Sequence, residues 1–362
     1  MGLFGGKKPS SYLGVDIGAS GIKVVELANE KGRAKLLTYG YCEQASESEA
    51  SPFDDLKATA AVLSDICRQA GTTTARALAG LPSSQLFSAI VAVPRRKDER
   101  EMKPLIDVQV SKVTPLPLSE MVVYSTFIDD VKPLLPLEKG SPPAPARSEY
   151  VRVLVTGGAK TLIQKYIEIF KLAKLELVAI DAEPFALTRA LIGKDRTAVA
   201  LVDIGFKRTN ITIVEKGIPF LTRSINVGGA SVTKRIMEAA GLSQNDAEQM
   251  KRDLGSSGNR GSALPPAVEA VIQPIMNEVK YAFQLYANME LTDVKKVEKV
   301  IVTGGSAHLP HVPEYLASQL NVNVYRGDPW ARVAYPAELR PVLDDIGPRM
   351  SVAIGLAMRD IE

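Results

Sequence analysis

The sequence predicts an α/β fold of two similar lobes, the first interrupted by an inserted α+β subdomain. Three observations predict it. An apolar-Asp-Ile-Gly turn occurs twice, as Gly14-Val15-Asp16-Ile17-Gly18 and as Leu201-Val202-Asp203-Ile204-Gly205. Each copy opens a run of short apolar segments at strand spacing. Between them lies a strand-helix-strand-strand-helix group that matches neither copy. The 362 residues also exceed what one hydrophobic core usually supports.

Leu13 to Ile17 and Ile22 to Leu27 are apolar runs around a Gly/Ser turn and read as a hairpin, with a third strand near Ala34 to Tyr41. From Phe53 to Ala70 the apolar residues Leu56, Ala60, Leu63, Ile66 and Cys67 recur at helical spacing, and Gly71 stops that helix. The inserted group reads as strand Leu86 to Val93, helix Lys97 to Val113, strands Met121 to Ile128 and Tyr150 to Thr156, and helix Thr161 to Leu172. Lys132 to Ser148 carries five prolines and reads as an exposed loop within it. Val178 to Asp181, a helix from Pro184 to Ile192, and strands Thr197 to Asp203, Asn210 to Val214 and Ile218 to Ser224 repeat the opening pattern. Helices follow at Ser231 to Ala240 and Ala267 to Met289, separated by a Gly/Ser/Pro-rich passage around Gly255 to Pro266. Strand Lys299 to Thr303 runs into Gly304-Gly305, then a helix from Pro313 to Leu320. The closing helix, Arg349 to Met358, carries Ala353, Gly355 and Ala357, small enough for close packing.

Composition excludes several classes. With 44 Lys and Arg against 41 Asp and Glu, dispersed along the chain, no electrostatic footprint for nucleic acid exists. Cys42 and Cys67, the two cysteines, make neither a disulfide framework nor a zinc spacing. No run reaches the ~18 apolar residues of a membrane span, so a cytoplasmic protein is expected. Met1 to Lys8, apolar residues before two lysines, reads as a frayed, solvated terminus in preference to a small membrane-touching arm. His308 and His311 share one loop without further ligands at metal spacing.

Asp16-Ile17-Gly18-Ala19-Ser20-Gly21 sits between two strands, where backbone N–H groups can converge on a phosphate and glycine leaves room for its oxygens. Taken singly, such a turn is more often a plain hairpin turn. A second copy at Asp203 allows two turns to clamp one polyphosphate, and Asp16 and Asp203 can hold its Mg²⁺ through water. Thr303-Gly304-Gly305-Ser306 after a buried strand provides backbone for the close approach of a flat ring or ribose.

In this order the motifs resemble the actin-like ATPase superfamily, with its ribonuclease H-like fold. The resemblance implies that Asp16, Gly18, Ala19, Ser20 and Gly21 form a first phosphate loop, and Asp203, Gly205, Thr209 and Asn210 a second. It implies further that Gly304, Gly305 and Ser306 form an adenosine loop, with Gly228-Gly229 near the nucleotide, ATP with Mg²⁺. Glu278 matches a ribose or adenine contact, or is a solvated helix glutamate. Glu183 matches a carboxylate that orients the attacking water, or is a helix N-terminal acid favoured by the dipole. Phe206 and Lys207 stand where relatives carry glycine, so ATP binding is expected with at most weak hydrolysis.

Within the superfamily the whole chain resembles the PilM family of type IV pilus proteins. Gly14 to Leu27, Asp181 to Leu187 and Asn226-Val227-Gly228-Gly229 carry that resemblance, with the insert at about 83–177. The absence of an amphipathic tail after the closing helix sets it apart from FtsA. The implied organisation is a first lobe of 1–82, 178–196 and 346–362, an inserted subdomain of 83–177, a second lobe of 197–230 and 299–345, and a helical subdomain of 231–298. The implied role is a cytoplasmic scaffold at the inner face of the inner membrane. It docks the cytoplasmic N-terminal tail of PilN beside the insert, with assembly motors as further partners and membrane contact only through them. An FtsA-like filament protein and a small-molecule kinase are the alternatives. The insert's Asp107, Asp129 and Asp130 lack the context of a kinase base.

Overall fold

The structure, a computed structural model, describes residues 10–43, 51–129, 149–256 and 264–361. Met1 to Lys8, Asp130 and the proline-rich Lys132 to Ser148 lie outside the described residues. In chain order the first lobe contributes β1 (Ser11–Gly18), β2 (Gly21–Glu30), β3 (Arg33–Glu43), α1 (Leu56–Ala70) and β4 (Arg76–Leu81). The insert adds β5 (Phe87–Pro94), α2 (Glu99–Val110), β6 (Met121–Phe127) and β7 (Tyr150–Ala159). Then come α3 (Lys160–Leu172), β8 (Glu176–Ala182), α4 (Glu183–Leu191), β9 (Val199–Ile204), β10 (Thr209–Glu215) and β11 (Ile218–Ile225). Helices α5 (Gly229–Ala240), α6 (Gln244–Ser256) and α7 (Pro266–Asn288) precede β12 (Lys299–Thr303) and α8 (Val312–Leu320). The chain closes with β13 (Asn323–Arg326), β14 (Val333–Ala334) and α9 (Arg340–Ala357).

Among the described residues these strands form sheets ordered β14-β3-β2-β1-β4-β8, β11-β10-β9-β12-β13 and β5-β7-β6. The duplicated turn thus opens two sheets of like construction, in which an antiparallel hairpin partner and a parallel neighbour flank β1 and β9 alike. Strand β4 is missing from the sequence expectation because Arg76-Ala-Leu-Ala-Gly-Leu81 is buried on both faces and shows no alternation. Helix α6 is missing too, although Ser243 and Asp246 bond each other reciprocally at its start, a capping arrangement.

Local chemistry sets the element ends. Asp55 caps α1 by accepting from the Ala58 N–H at 2.9 Å, and Gly71 ends it at φ 66°. Helix α9 starts nine residues before the expected Arg349 and runs through Pro348. Its small residues let it lie directly on its neighbours. A Cβ on Gly14 of β1 would stand 1.9 Å from the Ala353 carbonyl, and one on Gly355 equally close to that of Ala186. Substitution at either position would force the helix off.

Helices α4 and α9 fill the space between the two large sheets, where Val25 and Leu78 of one meet Leu201 and Ile301 of the other in a single apolar cluster. On the opposite face of the first sheet lie α1 and α3; Tyr166, Ile169 and Phe170 of α3 are fully buried there. Strands β5 and β7 with α2 enclose a core of their own, built on Val93, Met102, Ile106, Val151 and Val153. The paired turns at the ends of β1 and β9 face each other across a cleft between the lobes.

Candidate functional site

The first wall of the cleft is the β1–β2 hairpin. Its register, Gly18 opposite Gly21, places Asp16 opposite Lys23, whose Nζ donates to Asp16 Oδ2 at 3.1 Å. Asp16 is 8% exposed, and Asp16, Gly18, Ala19, Ser20 and Lys23 all line the cleft. Lys23 belongs to the site although no motif singled it out; the two-residue turn fixes its register and so contained the signal.

The second wall comes from β9. Asp203 sits beside Asn210 across one edge and Thr303 across the other. That parallel pairing brings the Gly304 turn onto the Asp203 carboxylate. Gly304 has φ 88°, and a Cβ there would lie 2.4 Å from Asp203 Oδ1, so only glycine fits. The Gly304 N–H and the Thr303 hydroxyl donate to the Pro348 carbonyl, each at 3.1 Å, which ties this loop to α9. Gly305 faces open space and lines the cleft with Gly304 and Ser306.

Glu183 opens α4 at the cleft floor, where its Oε2 accepts from the Ser83 N–H at 2.8 Å and the Ser83 hydroxyl at 3.1 Å. Burial, reinforced by the charges of Asp16 and Asp203, pushes the Glu183 carboxyl up to about 8. Asp203 is pushed up to about 6, by burial and then by Asp16, against the opposing pull of Lys23 and Asn210. Three carboxylates thus converge, with Lys23 paired to one of them. The Asn210 Oδ1, buried at the same place, has no hydrogen-bond partner among the described residues.

Helix α6 supplies a third side unforeseen in the sequence. Lys251 Nζ donates to Thr233 Oγ1 at 2.9 Å and to Glu248 at 2.6 Å, and burial lowers its pKa. At the mouth, Glu43 at the end of β3 accepts from Arg252 of α6 at 2.7 Å and from Arg349 of α9 at 2.5 Å. Phe206, Lys207 and His308 also face the cleft. Its volume is about 1050 Å³, at the upper end of the range of small-molecule and cofactor pockets.

Not every expected residue reaches the cleft. Glu278 does not: its carboxylate pairs with Arg223 of β11, whose guanidinium stacks on Tyr281, so it braces α7 against the sheet. Gly21, Thr209 and Gly228 stand behind the lining and shape it. Gly21 packs on the Cys42 carbonyl, the buried Thr209 hydroxyl donates to the Val227 carbonyl at 2.7 Å, and Gly228 abuts the Gly205–Arg208 backbone. Gly205, Asn210 and Gly229 do line it.

The residues present suit a hydrated divalent cation bridged by phosphates. Among the described residues no group of three or more His, Cys, Asp or Glu could hold a metal by itself. Asp16 and Asp203 offer hard oxygens from opposite walls, an arrangement suited to a Mg²⁺ that keeps its waters. His308 Nδ1 lies 3.1 Å from the Arg326 guanidinium.

A family model described as "Type IV pilus assembly protein PilM" matches residues 14–361. The chain is 23% identical over 348 residues to the cell division protein FtsA of Bacillus subtilis, covering 88% of this chain and 78% of that one. Among solved structures it resembles the chain of a PilM–PilN type IV pilus biogenesis complex, with TM-score 0.78, 22% identity and coverage of 97% and 98% of the two chains. It also resembles MreB5 of Spiroplasma citri bound to AMPPNP, with TM-score 0.53, 12% identity and coverage of 95% and 94%. The fold is therefore that of the actin-like ATPases. Among the described residues no helix is long and apolar enough to cross a membrane.

Proposed function

Because this chain belongs to the PilM family of type IV pilus assembly proteins, we propose that it is an ATP-binding cytoplasmic scaffold whose inserted subdomain docks the N-terminal cytoplasmic tail of PilN. The observation that carries the nucleotide half is the opposition of the Asp16 and Asp203 turns around one cleft, with Gly304-Gly305 on its side. Asp16, Gly18, Ala19 and Ser20 would face one end of the polyphosphate and Asp203, Gly205 and Asn210 the other. Mg²⁺, held through water, would neutralise the charge that now crowds three carboxylates together. Gly304, Gly305 and Ser306 would face the adenosine, with Lys251 and Glu248 of α6 within its reach. When bound, Mg²⁺ supplies charge neutralisation for the phosphates. Glu183, with a raised pKa and a fixed Ser83 partner, can hold or accept a proton at the cleft floor. The bulk of Phe206 at the second turn favours binding over hydrolysis.

The partner half rests on the insert. Among the described residues its β7 is paired on both sides, its β5 lies beside β11 of the second lobe, and β6 has a strand neighbour on one side only. Val122 and Tyr124 on one face of β6 are 48% and 72% exposed. An edge of this kind takes an extended peptide by main-chain hydrogen bonds, with side chains read on alternate positions. Assembly motors would be further partners, and contact with the membrane would be through these partners. The test is capture of a PilN tail peptide by the full chain carrying Val122→Glu and Tyr124→Glu. Capture should be lost while ATP binding persists; capture that survives these and all other charge substitutions on exposed insert positions would reject the docking site.

A further inference from the structure

The two duplicated turns align residue for residue, Asp16 to Lys23 with Asp203 to Asn210. In each, the aspartate lies across the hairpin from the last residue of its stretch, so that Lys23 faces Asp16 and Asn210 faces Asp203. The first hairpin thus carries its cation on the strand and has a small, uncharged tip, Ala19-Ser20. The second reverses this. Its strand position is the neutral Asn210, and its tip is Phe206-Lys207, closed by the Gly205 N–H donating to the Arg208 carbonyl at 2.9 Å. This tip is held in place: the Gly205 and Phe206 carbonyls accept from the Gly229 and Ala230 N–H groups at the start of α5, at 2.9 and 2.8 Å. A Cβ on Gly228 would stand 2.6 Å from the Gly205 carbonyl oxygen and 2.7 Å from that of Phe206, so the chain returns here as closely as glycine permits. Lys207 is half-buried and lines the cleft.

We propose that Lys207 is a specificity-determining residue of the cleft, which binds the terminal phosphate and selects a nucleoside triphosphate over a diphosphate. The sheet order decides which end of the nucleotide it meets. Strands β10 and β12 flank β9 on opposite sides. The adenosine loop follows β12, whereas the Phe206-Lys207 tip lies between β9 and β10. A polyphosphate that leaves Gly304–Ser306 and passes Asp203 therefore ends at this tip. An ammonium group suits that end, being a compact charge with three donors and no acceptor. A diphosphate, one phosphate shorter, stops before it and forgoes the contact. The inference rests on the nucleotide reading of the cleft.

Calorimetric titration of the full chain with Mg-ATP and with Mg-ADP tests it, with a melting curve for each variant. The unmodified protein should hold Mg-ATP more tightly than Mg-ADP. Lys207→Ala should weaken Mg-ATP by about tenfold or more, the loss of one hydrogen bond to a charged group. Its Mg-ADP affinity should fall by less than about threefold, since only a distant charge is removed. Lys207→Gln keeps most of the stem without the charge and should behave in the same way, so a fold defect confined to Lys207→Ala leaves the test intact. Lys207→Arg, which keeps the charge, should stay within about threefold of the unmodified protein for both ligands. Equal losses for the two nucleotides, no loss for Mg-ATP, or a Lys207→Arg variant as weak as Lys207→Ala would overturn the assignment, as would an unmodified protein that holds both nucleotides equally. No heat with either nucleotide in the unmodified protein would instead overturn the nucleotide reading, and the role of Lys207 with it.

Discussion

Replacing Gly305 by valine should block nucleotide without harming the fold, and replacing its neighbour Gly304 by alanine should do the reverse damage first. At Gly305 an added Cβ meets no atom within 4 Å, and the backbone there is outside the left-handed region. The valine side chain would therefore stand in the space assigned to the adenosine. Forcing extra methyl groups into an occupied space costs about 1–3 kcal/mol, which is roughly a 5- to 150-fold loss of affinity. At Gly304 the φ of 88° and the 2.4 Å approach to Asp203 Oδ1 act on the protein itself. At φ 88° and ψ 169° the backbone is in a region essentially reserved for glycine, which costs another residue about 1–3 kcal/mol before the clash is counted, so Gly304→Ala should lower the melting temperature by several degrees. Calorimetric titration with Mg-ATP and a thermal melt on each variant separate the effects. Gly305→Val with unchanged melting and unchanged affinity would refute the placement of the adenosine loop.

Asp16→Ala should weaken Mg-ATP binding at least tenfold in the same titration, with little loss of melting temperature, because the residue serves the bound cation and not the apolar core. Asp16→Asn should also lower the pKa of Asp203 from about 6, since the Asp16 charge helps to hold it up; carboxyl ¹³C shifts followed against pH would show no movement if the two walls do not face each other. Glu183 has a folded-state pKa of about 8 against an ordinary 4.5, so it binds more protons when folded than when unfolded. Its contribution is therefore fully present below pH 4.5 and is lost as pH rises through about 8. Metal-free protein should lose stability over that window, and Glu183→Gln should flatten the slope; an unchanged slope in urea titrations at several pH values would contradict the burial of this charge. Incubation with ATP and a panel of sugars should give no phosphotransfer above background, and transfer to any of them would favour the kinase alternative.

Much of this arrangement was legible because it depends on local chemistry. The two Asp-Ile-Gly turns and Gly304-Gly305 are backbone signals that survive without knowledge of tertiary structure, and the structure brings them to one cleft. Strands such as β5 and β10 begin and end within a residue or two of expectation because turn residues bound them. Other features depended on partners far along the chain. Glu278 looks like a solvent-facing or ligand-facing acid on α7, and only the packing of β11 shows that Arg223 claims it. Lys251, Glu248 and Arg252 were invisible because α6 is mostly polar and carries few apolar residues, although Ser243 and Asp246 marked its start. Ser83 could not be linked to Glu183 from sequence, since 100 residues separate them and only the β4–β8 pairing brings them together.

The central claim is that one chain combines a nucleotide cleft with a docking site for a pilus membrane partner. Its most direct test is calorimetric titration of the cognate PilN N-terminal tail peptide into the full-length, Mg-ATP-loaded protein. A saturable heat with one peptide per chain is the predicted result, and the absence of any binding heat, from a sample that demonstrably holds nucleotide, would contradict it.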